Sequence, residues 1–267
     1  MRGDVLETWA VVVAGGSGER LGADRPKAFV SFAGSTLVAA ALEVLEEHPA
    51  VDGIVCVVPE GWEERATILA DDLCAMKIAC MVAGGASRAE SVRNGLDCLP
   101  ERAAFVLVHD AARPLVDEAL VDRVIGALAE GADGVVPALP VADTVKRVAA
   151  DGRVVETLPR TALVVVQTPQ GFPVHVLREA IAAAGAALGD ATDCASLVEV
   201  AGGRVVTVAG DPDNLKVTTR ADLRRAEGLY RALHPAPDLS ALLAEDDEGD
   251  DEDEDDGDAF AEGDDEA

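Results

Sequence analysis

Basic residues are scarce in this 267-residue chain: 22 Lys and Arg stand against 50 Asp and Glu, a formal charge of -28. Proteins that hold DNA or RNA neutralise phosphates with a basic face, so this balance argues against a nucleic-acid partner. Any polyanionic ligand must instead meet a local cluster of cations. Long apolar runs are missing too. The longest stretch without Lys, Arg, Asp or Glu, 161–177, is interrupted by Pro169 and Pro173, and the charged N-terminus lacks a signal-like apolar core. Neither a membrane span nor a leader is expected. The five cysteines (56, 74, 80, 98 and 194) include no C-x-x-C pair and are odd in number. That disfavours a zinc cage or a disulfide framework and fits a reducing cytoplasm. Four histidines (48, 109, 175 and 234) are scattered without the pairing of a metalloenzyme, and aromatic residues make up only 3%.

The acidity is unevenly spread. Residues 245–267 hold 16 acids and no base, leaving 34 acids and 22 bases, a balance of -12, in residues 1–244. A like-charge run without apolar periodicity buries too little surface to offset its ordering entropy, so 234–267 is expected to be a disordered tail. Residues 1–8 form an N-terminal segment and 9–233 a single domain, for which a 49% hydrophobic composition supplies ample core.

Within 9–233, apolar β-rich runs alternate with helical stretches. Strands are expected at 10–14, 53–58, 78–82 and 105–109, with helices at 35–47 (capped by Ser35), 60–73, 89–99 and 117–130. Strands apolar on both faces and alternating with helices imply an α/β fold: a Rossmann-like, doubly wound, mainly parallel sheet covered on both sides. The second half departs from strict alternation. A strand at 134–140 leads into a polar arm, about 140–163, with hairpin strands at 145–148 and 154–158 turning at Gly152. A protruding arm of this kind suggests dimerisation. A strand at 164–167, helices at 174–184 and 193–200, a strand at 204–209 and a helix at 220–233 complete the domain.

Ligands of doubly wound sheets bind beyond the C-terminal strand ends, which places three loops, 14–27, 83–91 and 110–114, at the candidate site. The first begins Ala14, Gly15, Gly16, then Gly18, with Arg20 and Pro26-Lys27 following. Its glycines let backbone N–H groups face a phosphate. A dinucleotide fingerprint needs Gly at position 21, where Leu21 stands, which disfavours a NAD-dependent oxidoreductase; a Walker loop needs G-K-[ST], which is absent. Arg20 and Lys27 are the distinguishing cations, the latter held by a proline-stiffened turn.

The string A-G-G-S-G-x-R-L with P-K, then Gly84-Gly-Ala-Ser-Arg-Ala-Glu-Ser91, Val108-His-Asp-Ala-Ala-Arg-Pro114, Asp143-Thr-Val-Lys146, Gln167-Thr-Pro-Gln170 and Asp213-Asn-Leu-Lys216, all in order, resembles the 2-C-methyl-D-erythritol 4-phosphate cytidylyltransferases of the non-mevalonate isoprenoid pathway. The resemblance covers about residues 9–233. It implies cytidylyl transfer from CTP to methylerythritol phosphate, with release of pyrophosphate and a divalent cation, Mg²⁺, held mainly by CTP phosphates. By motif position it makes Arg20, Lys27, Arg160 and Lys216 catalytic cations, Arg160 and Lys216 gripping the attacking phosphate and Arg160 coming from the partner of a homodimer. Gly85 and Ser91 would read the base, with Arg88 buttressing their loop; Ser91 as a mere helix cap is the alternative. Asp110, beside Ala111, would meet ribose hydroxyls or a metal-bound water, and Arg113 the sugar phosphate, unless the two simply pair. Thr144, Thr168 and Thr192 complete the substrate pocket, Thr192 being equally placed to cap a helix. Ala86 and Cys194 depart from the family pattern. A cytidylyltransferase for another polyol phosphate, such as ribitol 5-phosphate, or a non-catalytic nucleotide-binding protein remain open alternatives.

Overall fold

The computed structural model describes residues 6–16 and 18–235. The acidic tail falls outside them, as do residues 1–5 and Ser17. The chain divides after Tyr230, and beyond that point only residues 231–235 are described.

In chain order the elements are β1 Glu7–Val13, β2 Ser31–Phe32, β3 Ser35–Thr36, α1 Leu37–Glu47, β4 Gly53–Val58, α2 Glu63–Asp72, β5 Ile78–Ala83 and α3 Arg88–Asp97. Then come β6 Ala103–Asp110, α4 Glu118–Ala129, β7 Gly134–Pro140, β8 Val145–Val148, β9 Val154–Leu158, β10 Val164–Val166 and β11 Gln170–Pro173. The helices α5 Val174–Ala184 and α6 Cys194–Val200, the strand β12 Val205–Ala209 and the helix α7 Arg220–Leu233 complete the described chain. The main sheet runs β10-β7-β11-β6-β1-β4-β5, with β12 also pairing β7. Strands β1, β4, β5 and β6 are parallel to their neighbours in this set, as β12 is to β7, whereas β10 and β11 run antiparallel. The fold is therefore the expected α/β class with a mainly parallel sheet.

Period-2 alternation divides the strands between two cores. Trp9, Val11, Val55 and Val57 face one layer with α3, α5 and α6; Ala10, Val12, Ile54, Cys56 and Val58 face the other with α1 and α4. Because both faces are covered, β4 is buried along its whole length. A third, smaller cluster joins Leu21, Phe32, Leu37, Val217 and Ala226.

Two details differ from expectation and a third follows it. Thr36, not Ser35, caps α1: it is the last extended residue before the helix, and its hydroxyl accepts from Ala39 N three residues on (3.2 Å). Strand β11 was not anticipated: a four-residue segment containing Gly171 and Pro173 gives little strand pattern, yet it fills the gap between β6 and β7. The β8–β9 hairpin lies at its expected positions and presents Val148, Val154 and Val155 to solvent. Among the described residues no helix is long and apolar enough to cross a membrane.

Helix α3 approaches the sheet through Gly95, where an added Cβ would lie 2.6 Å from Val11 Cγ1 and 2.9 Å from Val57 Cγ2. Alanine is intrinsically the better helix former by about 1 kcal/mol, but forcing a methyl against two stiff valines costs about 1–3 kcal/mol. Gly95→Ala is expected to lower the melting temperature by about 2–4 °C for each net kcal/mol lost. Calorimetry showing a rise would contradict this packing.

Candidate active site

The ends of β1, β4, β5 and β6 meet at one edge of the sheet, Val13 standing opposite Val57 and Asp110, and Val58 opposite Ala83. Backbone bonds launch each loop from that edge: Ala14 N donates to Val57 O (2.7 Å), Gly84 N to Val58 O (2.8 Å) and Ala111 N to Val13 O (3.1 Å). A cleft of about 560 Å³ opens there. The first loop lines it with Ala14, Gly15, Gly16, Gly18, Arg20 and Lys27, and the second with Gly85, Ala86, Ser87, Arg88 and Ser91. Asp110, Ala111 and Ala112 come from the third loop, and Lys216 and Thr218 from the chain after β12.

The first loop folds back on itself. Lys27 N donates to Gly16 O (3.1 Å) and Leu21 N to Gly18 O (2.9 Å). Gly18 has φ +80°, and a Cβ there would lie 3.1 Å from Lys27 N, so both conformation and close approach demand glycine. Lys27 is thereby held inward, where burial first, and Lys216 and Arg20 alongside, pull its pKa down to about 8.

In the second loop Ser87, not Ser91, caps α3: its hydroxyl accepts from Glu90 N (3.2 Å) while the Glu90 carboxylate accepts from Ser87 N (3.0 Å). This S-x-x-E capping box is a pattern carried by the sequence itself. Ser91 is buried and closes the loop instead, accepting from Gly85 N (3.1 Å) and donating to Ser87 O (2.9 Å). A Cβ on Gly85 would lie 2.4 Å from Glu90 Cβ, so the bare backbone here serves the helix cap as well as any ligand.

Asp110 does not pair with Arg113. Its Oδ1 accepts from Arg88 Nε (2.9 Å) and its Oδ2 from Lys216 Nζ (2.7 Å). Burial opposes its ionisation, but the two cations outweigh that and hold the carboxyl well below the usual carboxylate range. Arg88 Nη1 also reaches Cys194 Sγ (3.5 Å), so the atypical cysteine supports the second loop from behind.

The backbone of Asp110 is fixed by a chain of buried hydrogen bonds. Asp110 N donates to Thr168 Oγ1, whose hydroxyl donates to His109 Nδ1, and His109 Nε2 donates to Arg113 O, each at 3.1 Å. Burial pushes the His109 pKa down to about 4, which keeps the imidazole neutral and leaves Nδ1 to accept while Nε2 donates.

Five expected site residues lie outside the cleft lining. Arg113 is buried, donating to Asn214 O (2.8 Å) and Val166 O (3.3 Å), so it clamps backbone carbonyls. Thr168 belongs to the buried chain just described. Thr192 lines a separate alanine-rich groove, and Asp193, not Thr192, caps α6 through Ser196 N (3.0 Å). Thr144 is exposed on the arm, and exposed Arg160 there donates to Ala142 O.

Residues 8–232 match the family described as 2-C-methyl-D-erythritol 4-phosphate cytidylyltransferase. The chain belongs to this family. A Nocardia farcinica protein of that name is 50% identical over 220 residues, covering 82% of this chain and 92% of its own. A Rhodococcus jostii protein of the same name is 45% identical over 82% of this chain and 93% of its own. The crystal structure of the cytidylyltransferase from Thermus thermophilus is similar with a TM-score of 0.68 at 35% identity, over 83% of this chain and 98% of that one. That of the 4-diphosphocytidyl-2C-methyl-D-erythritol synthase from Anaerococcus prevotii gives 0.74 at 26% identity, over 85% and 99%. The chain is accordingly a nucleotidyltransferase of isoprenoid biosynthesis.

A protein-held metal does not fit the residues of this cytidylyltransferase cleft. Asp110 is the only carboxylate among the described residues that line it, and both its oxygens are engaged by cations. Among the described residues no group of three or more His, Cys, Asp or Glu is placed to hold an ion.

Lys27 offers a direct check on the electrostatics. Its modification by an amine-selective reagent should titrate with a midpoint near 8 in the free protein, against about 10.4 for an ordinary lysine. A midpoint above 10 would contradict the burial and cationic crowding described.

Proposed function

We propose that this cleft performs the family's reaction, transfer of CMP from CTP to 2-C-methyl-D-erythritol 4-phosphate with release of pyrophosphate, chiefly by charge neutralisation. The observation that carries the proposal is the gathering of Arg20, Lys27, Arg88 and Lys216 around one cleft in a chain of net charge -28. Among the described lining residues, these four cations set against the carboxylate of Asp110 leave three positive charges.

An acceptor phosphate oxygen forms a bond to the α-phosphorus as the bond from that phosphorus to the bridging oxygen breaks and pyrophosphate leaves. The acceptor monoester is mostly dianionic at neutral pH, its second pKa being about 6, so no general base is needed. Repulsion between two anions is the obstacle, and preorganised cations lower it. Arg20 and Lys27 neutralise the α-phosphate and the departing pyrophosphate, while the glycine loop directs backbone N–H groups at the triphosphate. Lys216 takes the acceptor phosphate. Any divalent cation would enter with the CTP rather than be held by the cleft residues, and would add to the neutralisation.

Base selection falls to the second loop. Once Ser91 has given its proton to Ser87 O, its hydroxyl oxygen can only accept, which suits the amino group of cytosine and not the carbonyl of uracil. Asp110 becomes a positioning residue that keeps Arg88 and Lys216 in place. Arg160 and Thr144, outside this cleft, are assigned to the site of a second copy; the exposed valines of the arm support a homodimer in which that copy covers them. All five cysteines are free thiols, which supports a reducing, cytoplasmic setting.

Pyrophosphate release from CTP, measured with methylerythritol phosphate, with ribitol 5-phosphate and with no acceptor, tests the proposal. Release is expected to depend on methylerythritol phosphate and to fall by on the order of 10²–10³ in Lys27→Ala. Acceptor-independent release, preference for ribitol 5-phosphate, or near-normal turnover of that variant would overturn it.

A further inference from the structure

The glycine loop must be tethered at both ends if Arg20 is to meet a phosphate in a fixed place. Its start is tied to β4, and its middle is closed by the Lys27–Gly16 bond. The turn that carries Arg20, Glu19–Leu21, leaves the carbonyls of Leu21 and Gly22 beyond it, Gly22 being in the left-handed region at φ +63°. Both carbonyls are taken by one side chain from far along the chain. Arg220 Nε donates to Leu21 O and Arg220 Nη2 to Gly22 O, each at 3.1 Å.

Arg220 ends a short strap that begins at Lys216. Lys216 Nζ donates to Asp110 Oδ2 (2.7 Å), and the neighbouring Val217 N donates to Ala112 O (2.8 Å). The Val217 side chain is fully buried in the same small cluster as Leu21. Thr218 lines the cleft, and the amides of Thr218 and Thr219 donate to Asp222 Oδ2 (3.0 and 2.8 Å), fastening the strap to the first turn of α7. Five consecutive residues thus touch the acceptor-side lysine, the cleft wall and the donor-side loop.

We infer that Arg220 is a positioning residue for Arg20, and that the 216–220 strap sets the distance between the cations for the two reacting phosphates. The inference rests on the proposed phosphate role of Arg20. Arg220 lies outside the cleft lining and acts only through the loop carbonyls. A guanidinium is required because its planar fork reaches two adjacent carbonyls at once, which the single ammonium of lysine does not. Arg220 is exposed, so truncation opens no cavity and the fold should tolerate it.

Steady-state kinetics on Arg220→Ala and Arg220→Lys, with Lys27→Ala in parallel and melting temperatures for all three, test this. Arg220→Ala is expected to lower kcat/KM for CTP by about ten- to a hundredfold, as misplacement of a binding group does. Its KM for methylerythritol phosphate should stay within twofold and its melting temperature near that of the parent, and Arg220→Lys should recover only part of the loss. Parental kcat/KM for CTP in Arg220→Ala, full recovery by Arg220→Lys, or a shift of both KM values together with a lowered melting temperature would each overturn the inference. If Lys27→Ala keeps its turnover, the reading of the cleft itself fails and the inference fails with it; if Lys27→Ala is inactive while Arg220→Ala is normal, the inference alone fails.

Discussion

The Asp110 carboxylate, 10% exposed at the mouth of a parallel sheet, is ionised only because Arg88 and Lys216 each occupy one of its oxygens. An isolated buried carboxylate would take up a proton, whereas paired on both sides it becomes a fixed negative centre around which two cations are arranged. Removing one partner of such a pair commonly costs about 3–5 kcal/mol when both are buried. The Lys216 side chain is 42% exposed, so solvent screening reduces its share and Arg88 carries more of the interaction. Everything that holds Asp110 then holds the cleft: the register of β6 against β1, and the bonds running through Thr168 and His109 to the Arg113 carbonyl.

In the proposed function, that arrangement lets an acidic chain handle two anionic substrates. Cations from three separate segments converge because the loops after β1 and β5 leave the same edge of the sheet and because the 216–220 strap returns to it. Like charges so gathered repel, and that repulsion adds to burial in depressing the pKa of Lys27. Bound phosphates relieve it, so substrate binding and the neutralisation needed for reaction draw on the same electrostatic imbalance.

Much of this was legible in the sequence for physical reasons. Runs apolar on both faces announce buried parallel strands, and the Gly-rich loop with Arg20 and Pro26-Lys27 follows the first of them. The arm hairpin was placed correctly because Gly152 marks its turn, at φ +83°. Sequence pattern could not tell a side chain that contacts a ligand from one that clamps the scaffold. Arg113 and Thr168 stand in motifs as distinctive as that of Lys27, yet fold inward onto carbonyls and a histidine. Ser91 and Thr192 were plausible caps, but the caps are Ser87 and Asp193, which only the local backbone decides. The contacts of Cys194 with Arg88 and of Arg220 with the glycine loop span 106 and 198–199 residues, and no local spacing reports them.

The dependence of both substrate sites on one carboxylate is tested most directly by the steady-state kinetics of Asp110→Asn, which keeps the shape and removes the charge. With Arg88 and Lys216 both released from their anchor, kcat/KM is predicted to fall for CTP and for methylerythritol phosphate alike, by on the order of 10² as for misplaced catalytic groups. Parental kcat/KM for either substrate in a folded Asp110→Asn protein would contradict the account.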